Sequence, residues 1–333
     1  MAAADITAPR HVAIIGAGLA GLSCAYALEQ AGVRVSVFEK SGGPAGRMST
    51  RRGDGWQCDH GAQYFTARDP HFRAEVARWE RAGAAARWDA HVRRFNADGT
   101  ADESGATERF VGTPRMTAPA LLLASALNVQ TGVTISALQR EGALWRLHVE
   151  DKAPLVQLYD AVVLAVPAPQ AAALSSDVAP LQAALAAGTA MEGCWAMMLQ
   201  YAAPLNLGFD AAFVNRGSLR WVARDSAKPG RTGSECWLLH ASAQWSEAHI
   251  EFDADQVAAQ LLAAFAELGA PAPERWRMHR WRYASTVQAR DEVCIWDAGL
   301  QLGLCGDWLN GGTVEAAWLS GRALAWRIAT AWP

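Results

Sequence analysis

The sequence predicts an α/β protein in which a parallel sheet flanked by helices forms one domain and a mixed antiparallel sheet forms a second, α+β domain. Three observations predict this fold. Residues 11–40 read as a buried strand, a glycine turn, a helix and a second strand, and apolar runs at 160–167 and 302–305 add further buried strands. Strand-like segments recur between residues 194 and 283, interrupted by one helix at 253–268. A chain of 333 residues also exceeds the size at which single cores usually stop growing, which favours two domains.

The glycine turn follows the first strand directly, with the spacing Gly16-x-Gly18-x-x-Gly21. The first glycine permits the tight turn, the second lets backbone approach a pyrophosphate, and the third lets the helix pack on the strand. The helix N-terminus favours the negative pyrophosphate through its free N–H groups and its dipole. Glu39, about 20 residues further on, is placed to bind a ribose diol and would repel a 2′-phosphate. This unit predicts a Rossmann-type domain that binds FAD or NAD rather than NADP.

A second glycine-rich loop covers residues 41–50 and contains Arg47. We interpret it as a second phosphate-facing loop, with Arg47 as a donor to the pyrophosphate or to the flavin side of the cofactor. The alternative is a surface loop in which Arg47, Arg51 and Arg52 are merely solvated.

The segment 56–66 combines small residues with polar-tipped side chains. Gly61 and Ala62 are small enough for backbone to lie flat against a planar ring, and Gln63 and Tyr64 follow them. This segment predicts a contact with the ring of the cofactor or substrate.

The C-terminal segment repeats the arrangement of strand, turn acid and helix N-terminus. After the strand at 302–305, Asp307 is placed to bind a ribityl hydroxyl, and N–H groups near Thr313 and Val314 are placed at the electron-rich edge of a flavin ring. The alternative is that Asp307 is only a turn residue or cap. These contacts extend past a nicotinamide nucleotide, so FAD is the predicted cofactor.

Composition excludes several other classes of protein. The net charge is −3 and no basic stripe is present, so no nucleic-acid partner is expected. No apolar segment reaches the length of a membrane span, and the first ten residues lack the apolar core of a signal peptide. The six cysteines form no C-x-x-C pair or metal-like cluster. We therefore expect reduced thiols, a cytoplasmic location, no metal and no inferred protein partner.

The last strand of the second domain, 275–283, carries alternating arginines and aromatic residues. Trp276 and Trp281 differ in parity, which predicts a bulge near His279. The strand also contains a set of arginines that we assign to its solvated face rather than to an anion site: Arg275, Arg277, Arg280 and Arg282.

Together these motifs resemble the flavin amine-oxidase superfamily, and within it most of all the renalases and their bacterial relatives. The likeness runs from about residue 11 to residue 328 and is weak between roughly 80 and 190. Besides the opening unit, it rests on Gly46-Arg47-Met48, Asp59-x-Gly61-Ala62-Gln63-Tyr64, Val163-Leu164-Ala165-Val166-Pro167 and Cys305-Gly306-Asp307.

The resemblance implies a flavoprotein with a Rossmann-type FAD-binding domain of the GR2 type. Flavin N5 would accept hydride from isomeric (2- or 6-) dihydro-NAD(P), including α-NAD(P)H, and O2 would reoxidise the flavin to give H2O2. Carried over by position, Tyr64 and His240 would face the substrate ring, with Gln63 beside the flavin. The expected FAD-binding domain comprises residues 1–66, 110–168 and 299–333, and the substrate domain comprises 67–109 and 169–298. The expected cofactor-binding residues are Gly16, Ala17, Gly18, Leu19, Ala20, Gly21, Glu39, Lys40, Gly46, Arg47, Met48, Gly61, Ala62, Gln63, Val166, Gly306, Asp307, Thr313 and Val314.

The sequence departs from the family pattern at two places. Ala45 stands where many relatives have the first glycine of a Gly-Gly-Arg loop. The tail lacks the aromatic amine cage of monoamine oxidases, and no lysine is obviously placed to reach N5 through water. Two alternatives remain: a flavin amine oxidase or protoporphyrinogen-oxidase-like desaturase, and a non-catalytic FAD-binding interaction protein.

Overall fold

The computed structural model describes residues 10–288 and 290–332, and the N-terminal tail before Arg10 lies outside them. The α-helices are α1 Leu19–Gln30, α2 Pro70–Arg81, α3 Ala118–Ala124, α4 Ala168–Ser175, α5 Pro180–Ala187, α6 Ala243–Ala248, α7 Ala254–Ala266 and α8 Val314–Ala331. Short 3₁₀ turns cover Gly46–Met48, Asp225–Ala227 and Asp307–Leu309. The strands are β1 His11–Ile15, β2 Arg34–Glu39, β3 Thr50–Gly53, β4 Trp56–Asp59, β5 Ala85–Arg87, β6 Val92–Phe95, β7 Ala101–Glu103, β8 Phe110–Gly112, β9 Val129–Thr131, β10 Ile135–Glu141, β11 Leu144–Val149, β12 Ala161–Leu164, β13 Met191–Tyr201, β14 Ala211–Val214, β15 Leu219–Arg224, β16 Glu235–Ala241, β17 Arg275–Thr286, β18 Ile295–Asp297 and β19 Leu302–Leu304.

The chain forms two compact units, both discontinuous. The first comprises Met1–Gly46, Ala120–Ala190 and Gln288–Pro333, and the second comprises Arg47–Pro119 and Met191–Val287. These bounds differ from the expected domains in four stretches. Residues 47–66 and 110–119 were expected in the FAD-binding domain but lie in the second unit, and residues 169–190 and 288–298 were expected in the substrate domain but lie in the first.

Packing explains three of these differences. The β3–β4 hairpin buries Trp56 and Cys58 against the sheet of the second unit, in a cluster with Ala196 and Met198. In the first unit, Gln182 of α5 donates a 2.8 Å hydrogen bond to Asp297 of β18, which pairs with β19.

The first unit is built on a six-stranded sheet in the order β18-β19-β12-β1-β2-β9. The pairs β19–β12, β12–β1, β1–β2 and β2–β9 are parallel, and only the edge strand β18 is antiparallel. Residues of β1 and β12 are buried throughout, as expected for parallel strands covered on both faces. Helix α8 packs closely on α1 because Gly321 has no side chain, and Ser23 of α1 donates a 2.9 Å hydrogen bond to the Trp318 carbonyl.

The second unit is built on a seven-stranded mixed sheet in the order β17-β13-β16-β15-β14-β6-β7. One face packs against α7, where Val257, Leu261 and Phe265 meet the sheet in its main apolar core. Asp253 caps α7, accepting a 2.8 Å hydrogen bond from the Asp255 N–H.

The bulge predicted near His279 is not at that position. Pairing of β17 with β13 is regular from Arg275 to Trp281, and the register shifts further along the strand, where Glu192 and Cys194 of β13 pair with Ser285 and Trp281 of β17. The parity difference instead reflects two buried faces: Trp276 packs in the core beside α7, whereas Trp281 packs on the opposite face. An alternating strand covered on both sides carries aromatic residues at both parities.

Candidate functional site

The glycine turn of the first unit has the geometry that its spacing predicts. Gly16 has φ 104°, and a Cβ there would lie 2.5 Å from the Ala165 carbonyl oxygen. A Cβ on Gly21 would collide with the Gly16 carbonyl oxygen, whereas a Cβ on Gly18 would meet nothing within 4 Å. The outer glycines are therefore needed for packing, and Gly18 leaves open space in which a phosphate can approach the backbone.

The N-terminus of α1 offers backbone donors to an anion. Its N-cap is Gly18, no side chain caps it, and its first turn, which begins with Leu19 and Ala20, contains no acid. Backbone N–H groups and the helix dipole thus favour a negative ligand at this point.

Glu39 lies beside this helix N-terminus and is 7% exposed. Its carboxylate accepts hydrogen bonds from the backbone N–H groups of Ala17 at 2.9 Å and Ser41 at 2.8 Å. A carboxylate has about four acceptor positions, so two remain for a ribose diol. Lys40, which follows it, is exposed.

The loop around Ala45 keeps a glycine-like backbone although it carries a side chain. Ala45 has φ 109° and Gly46 has φ 53°, and the Ala45 N–H donates a 2.9 Å hydrogen bond to the Ala17 carbonyl. A Cβ on Gly46 would lie 3.3 Å from the Cα of Gly18. The loop therefore still lies beside the glycine turn although position 45 is an alanine. The backbone of Ala45 is strained as a result.

The C-terminal site residues gather at the ends of β12 and β19, which are neighbours in the sheet. The Gly306 N–H donates a 2.9 Å hydrogen bond to Ser320, and Asp307 is 6% exposed. Thr313 caps α8 by accepting from the Ala316 N–H at 3.0 Å, and the helix begins at Val314. Beside them, the Val166 carbonyl accepts a 3.2 Å hydrogen bond from the Trp308 indole.

The first unit thus brings Gly16, Gly18, Glu39, Val166 and Asp307 to the carboxyl ends of parallel strands, where α/β sheets bind their ligands. The open cradle at Gly18, the uncapped helix and the nearly buried carboxylate fit the adenosine and pyrophosphate of FAD. The assignment of the individual residues to parts of FAD stays a prediction.

In the second unit, Gly61 and Ala62 pack against backbone. A Cβ on Gly61 would collide with the Arg47 carbonyl oxygen, which also accepts a 2.9 Å hydrogen bond from the Ala62 N–H. Arg47 itself donates a 3.2 Å hydrogen bond to the Ala284 carbonyl, and Met48 is buried. The close approach of the Arg47 carbonyl is therefore enough to require glycine at position 61, without a contact to a bound ring.

The Gln63 side chain is turned into the protein. Its amide donates to the carbonyls of Asp59 at 2.7 Å and Gly61 at 3.1 Å, and its oxygen accepts from Lys228 at 3.2 Å. These contacts suit a residue that fixes the backbone of the segment 59–64.

Gln63 borders a buried charge cluster that sequence reasoning missed, consisting of Asp59, Asp225, Lys228 and Arg231. Lys228 lies 3.2 Å from Asp59 and 2.7 Å from Asp225, and the side chains of all three are 0% exposed. Arg231 is bonded to Asp59 and donates a 2.8 Å hydrogen bond to the Gly112 carbonyl.

The cluster shifts its two acids in opposite directions. Burial opposes ionisation of Asp59, but the charges of Lys228 and Arg231 outweigh it and hold its pKa well below the usual range. Burial, and next the charge of Asp59, raise the pKa of Asp225 to about 6.

The sheet face opposite α7 carries a row of rings. His60 stacks on Trp281 with ring centroids 5.2 Å apart, and His279 meets the same indole edge-on at 4.3 Å. The His60 carbonyl accepts hydrogen bonds from the Trp281 indole at 2.8 Å and is 3.1 Å from the His240 Nε2 atom. Tyr64 lies 5.4 Å from the Trp221 ring. We call these residues the ring face.

The three histidines of the ring face are neutral. Burial, with smaller contributions from His279 and Arg51, lowers the pKa of His60 to about 3. Burial lowers the pKa of His240 to about 4, and burial together with Arg51 lowers that of His279 to about 4. The ring face can therefore hold a planar ring without an imidazolium charge at neutral pH. The sequence analysis named Tyr64 and His240 as site residues but not Trp281, His60 or His279. For Trp281, the chain's 15 tryptophans were the available signal.

The described residues contain neither a metal-binding group nor a membrane-spanning helix. Within residues 10–288 and 290–332, no group of three or more His, Cys, Asp or Glu side chains is arranged to hold a metal ion. No helix in those ranges is both long and apolar enough to cross a bilayer.

Comparison with known proteins places the chain in a family. The family of NAD(P)-binding Rossmann-like domains matches residues 14–79, and the flavin containing amine oxidoreductases match residues 106–329. The chain belongs to the flavin containing amine oxidoreductase family. FAD is accordingly its cofactor, and the fold is a Rossmann-like domain joined to an amine oxidase domain.

L-amino-acid oxidases are among the individual proteins that the chain resembles. The chain is 47% identical over 55 residues to an L-amino-acid oxidase of Daboia russelii and 40% identical over 73 residues to one of Bungarus fasciatus. These matches cover 16% and 21% of this chain but only 11% and 14% of those proteins.

Solved structures share the fold over nearly the whole chain. A putative protoporphyrinogen oxidase from Exiguobacterium sp. 255-15 has a TM-score of 0.79 at 12% identity, covering 97% of this chain and 99% of that one. Cyclohexylamine oxidase from Brevibacterium oxydans IH-35A has a TM-score of 0.75 at 12% identity, with the same coverage. At this identity the likeness concerns the fold alone.

Proposed function

We propose that this flavoprotein is a renalase-like oxidase of isomeric dihydronicotinamide nucleotides. The substrate is 2- or 6-dihydro-NAD(P) or a related α-NAD(P)H, and the products are the oxidised nucleotide and H2O2. When bound, FAD supplies the hydride acceptor, and O2 takes up the two electrons with two protons.

The observation that carries the proposal is the ring face with its neutral histidines. Dihydropyridines carry their own driving force, so the protein needs mainly to orient a planar ring and exclude water. Trp281 and Tyr64 supply flat apolar surfaces, and His240 supplies a polar edge without a charge. No general base that titrates near neutrality is required.

An amine substrate suits this face less well. An ammonium group would be repelled by the positive charge of Arg51, whose guanidinium lies 3.4 Å from His279 of the ring face. Lys228, the buried lysine of this unit, is held by Asp59, Asp225 and Gln63 and is not free to act on another group.

Two alternatives are retained. The names of the proteins of similar fold favour a flavin amine oxidase or a protoporphyrinogen-oxidase-like desaturase. A non-catalytic FAD-binding interaction protein is the other alternative.

Anaerobic titration of the holoenzyme separates the three. We expect 1,2- and 1,6-dihydronicotinamide nucleotides and α-NAD(P)H to bleach the flavin stoichiometrically, and admission of air to restore it with formation of H2O2. Bleaching by cyclohexylamine, putrescine or a saturated tetrapyrrole, with no response to the nicotinamide isomers, would overturn the proposal. Failure of every reductant would favour the interaction protein.

A further inference from the structure

The arginines of β17 differ according to the face on which they lie. Arg280 lies on the face of α7, and Arg280 and Arg282 both pair with Glu251, at 3.0 Å and 2.5 Å. Arg277 lies on the ring face, two residues from His279, with its guanidinium 5.9 Å from the centre of the Trp56 ring. Because side chains alternate along the regular part of the strand, Arg280 and Arg277 lie on opposite faces. Arg280 is neutralised by Glu251, whereas Arg277 is on the side of the ring face.

Arg51 reaches the same place from the β3–β4 hairpin. Its Nη2 atom lies 3.4 Å from Nδ1 of His279, which is neutral and can accept a hydrogen bond. Arg277 and His279 are alternate residues of the same face, about 7 Å apart along the strand. Within residues 10–288 and 290–332, neither Arg51 nor Arg277 forms an ion pair with a carboxylate.

The hairpin that carries Arg51 is held firmly. Thr50 donates a 2.6 Å hydrogen bond to Asp59 of the buried charge cluster, and Trp56 and Cys58 are packed on the sheet. Beside the hairpin an open groove of about 630 Å³ is lined by Thr50, Arg51, Arg52, Gly53 and His60. The Nδ1 atom of His60 is buried without a hydrogen-bond partner among the described residues.

We propose that Arg51 and Arg277 form a phosphate subsite for the nucleotide whose ring lies against His60 and Trp281. A guanidinium presents five N–H donors in a planar fork that matches phosphate oxygens, and Arg51 uses one of them on His279. The ring face would hold the nicotinamide ring. The two guanidinium groups, which form no ion pair with a carboxylate among the described residues, would bind the phosphate that is joined to this ring through ribose. The proposal rests on the proposed function, because it assigns the phosphate of that substrate.

The test compares two substrates that differ only in the phosphate: dihydronicotinamide mononucleotide and dihydronicotinamide riboside, both prepared by borohydride reduction. The quantity measured is the ratio of kcat/KM for the mononucleotide to that for the riboside. We expect this ratio to fall about tenfold in Arg51→Ala and in Arg277→Ala. Arg282→Ala, in the same strand but at an arginine that is paired with Glu251, is the matched control and should keep the wild-type ratio. Equal losses for the two substrates, or an unchanged ratio in both variants, would overturn the subsite.

A second measurement distinguishes failure of the subsite from failure of the proposed function. Oxidised nicotinamide mononucleotide is titrated into the oxidised holoenzyme, and binding is followed by the flavin absorbance difference. If no dihydronicotinamide reduces the flavin but this binding weakens about tenfold in Arg51→Ala and Arg277→Ala, the subsite stands and the oxidase proposal falls. If wild type and both variants bind equally, the subsite falls.

Discussion

The Lys228 ammonium lies 3.2 Å from Oδ2 of Asp59, and neither side chain is exposed to solvent. Asp59 immediately precedes His60, the residue whose carbonyl accepts from the Trp281 indole. The buried charge cluster therefore anchors the segment that presents the ring face.

Lys228→Met should destabilise the second unit strongly. Removing one partner of a buried ion pair leaves an uncompensated charge and typically costs about 3–5 kcal/mol. Lys152→Met is the control, since Lys152 is exposed in the first unit. Urea unfolding measures the free energy of both variants. A loss of less than about 1 kcal/mol in Lys228→Met would show that Asp59 and Asp225 are satisfied without the lysine.

Glu39→Ala should weaken FAD binding. The carboxylate holds the Ala17 and Ser41 N–H groups and has acceptor positions left for a ribose diol. Hydrogen bonds to charged groups are worth about 1.5–3 kcal/mol, so the dissociation constant of FAD should rise by roughly tenfold or more. Glu39→Gln retains one acceptor oxygen and should lie between Ala and wild type, while exposed Glu150→Ala should bind normally. Flavin content per chain after dialysis checks this, and full occupancy in Glu39→Ala would refute the ribose role.

The opening unit could be predicted from the sequence because its contacts are local. Strand β1, the glycine turn, α1 and β2 follow one another within residues 11–39, and Gly21 packs against the carbonyl of Gly16, five positions earlier. The Asp253 cap of α7 was equally accessible, since an N-cap bonds N–H groups within its own first turn.

The buried charge cluster could not be predicted in this way. Asp59 and Lys228 are 169 positions apart, and no periodicity in the sequence relates a hairpin residue to a loop beyond β15. The face on which each β17 arginine lies could not be predicted either. It depends on the strand register, and the sequence prediction placed a bulge near His279, where the pairing is regular. The backbone of Ala45 could not be predicted from its residue type. Contacts in the folded protein hold this alanine at φ 109°, a conformation that usually requires glycine.

The histidines of the ring face should make the protein less stable in acid. Folding lowers the pKa of His240 from 6.5 to about 4, so between these values the unfolded chain binds more protons than the folded one. The free energy of unfolding therefore keeps this contribution above pH 6.5 and loses it as the pH falls towards 4. Urea unfolding between pH 4.5 and 7 should show a slope that His240→Gln reduces by roughly 1.4 kcal/mol per pH unit near pH 5. His71→Gln, at an exposed position of α2, is the control, and equal slopes in both variants would contradict the prediction.

The same pKa values predict how flavin reduction depends on pH. Because His60, His240 and His279 titrate at about 3 to 4, none of them changes charge between pH 6 and 8. Anaerobic flavin reduction by a dihydronicotinamide should therefore keep a constant rate across that range. A bell-shaped profile centred in it would require a titrating group outside this set.

Ala45→Gly should stabilise the first unit. The backbone at φ 109° is strained for alanine but not for glycine, and relief of this strain is worth about 1–2 kcal/mol. Greater freedom of glycine in the unfolded chain offsets roughly 0.4–1 kcal/mol of that, so a net gain of up to about 1.6 kcal/mol should raise Tm by up to about 3 °C. Ala31→Gly is the matched control, because Ala31 has φ −86° at the exposed end of α1 and should only lose stability. Calorimetry of the two holoproteins measures the difference, and an equal fall in Tm for both would mean that the loop does not hold Ala45 in the left-handed region.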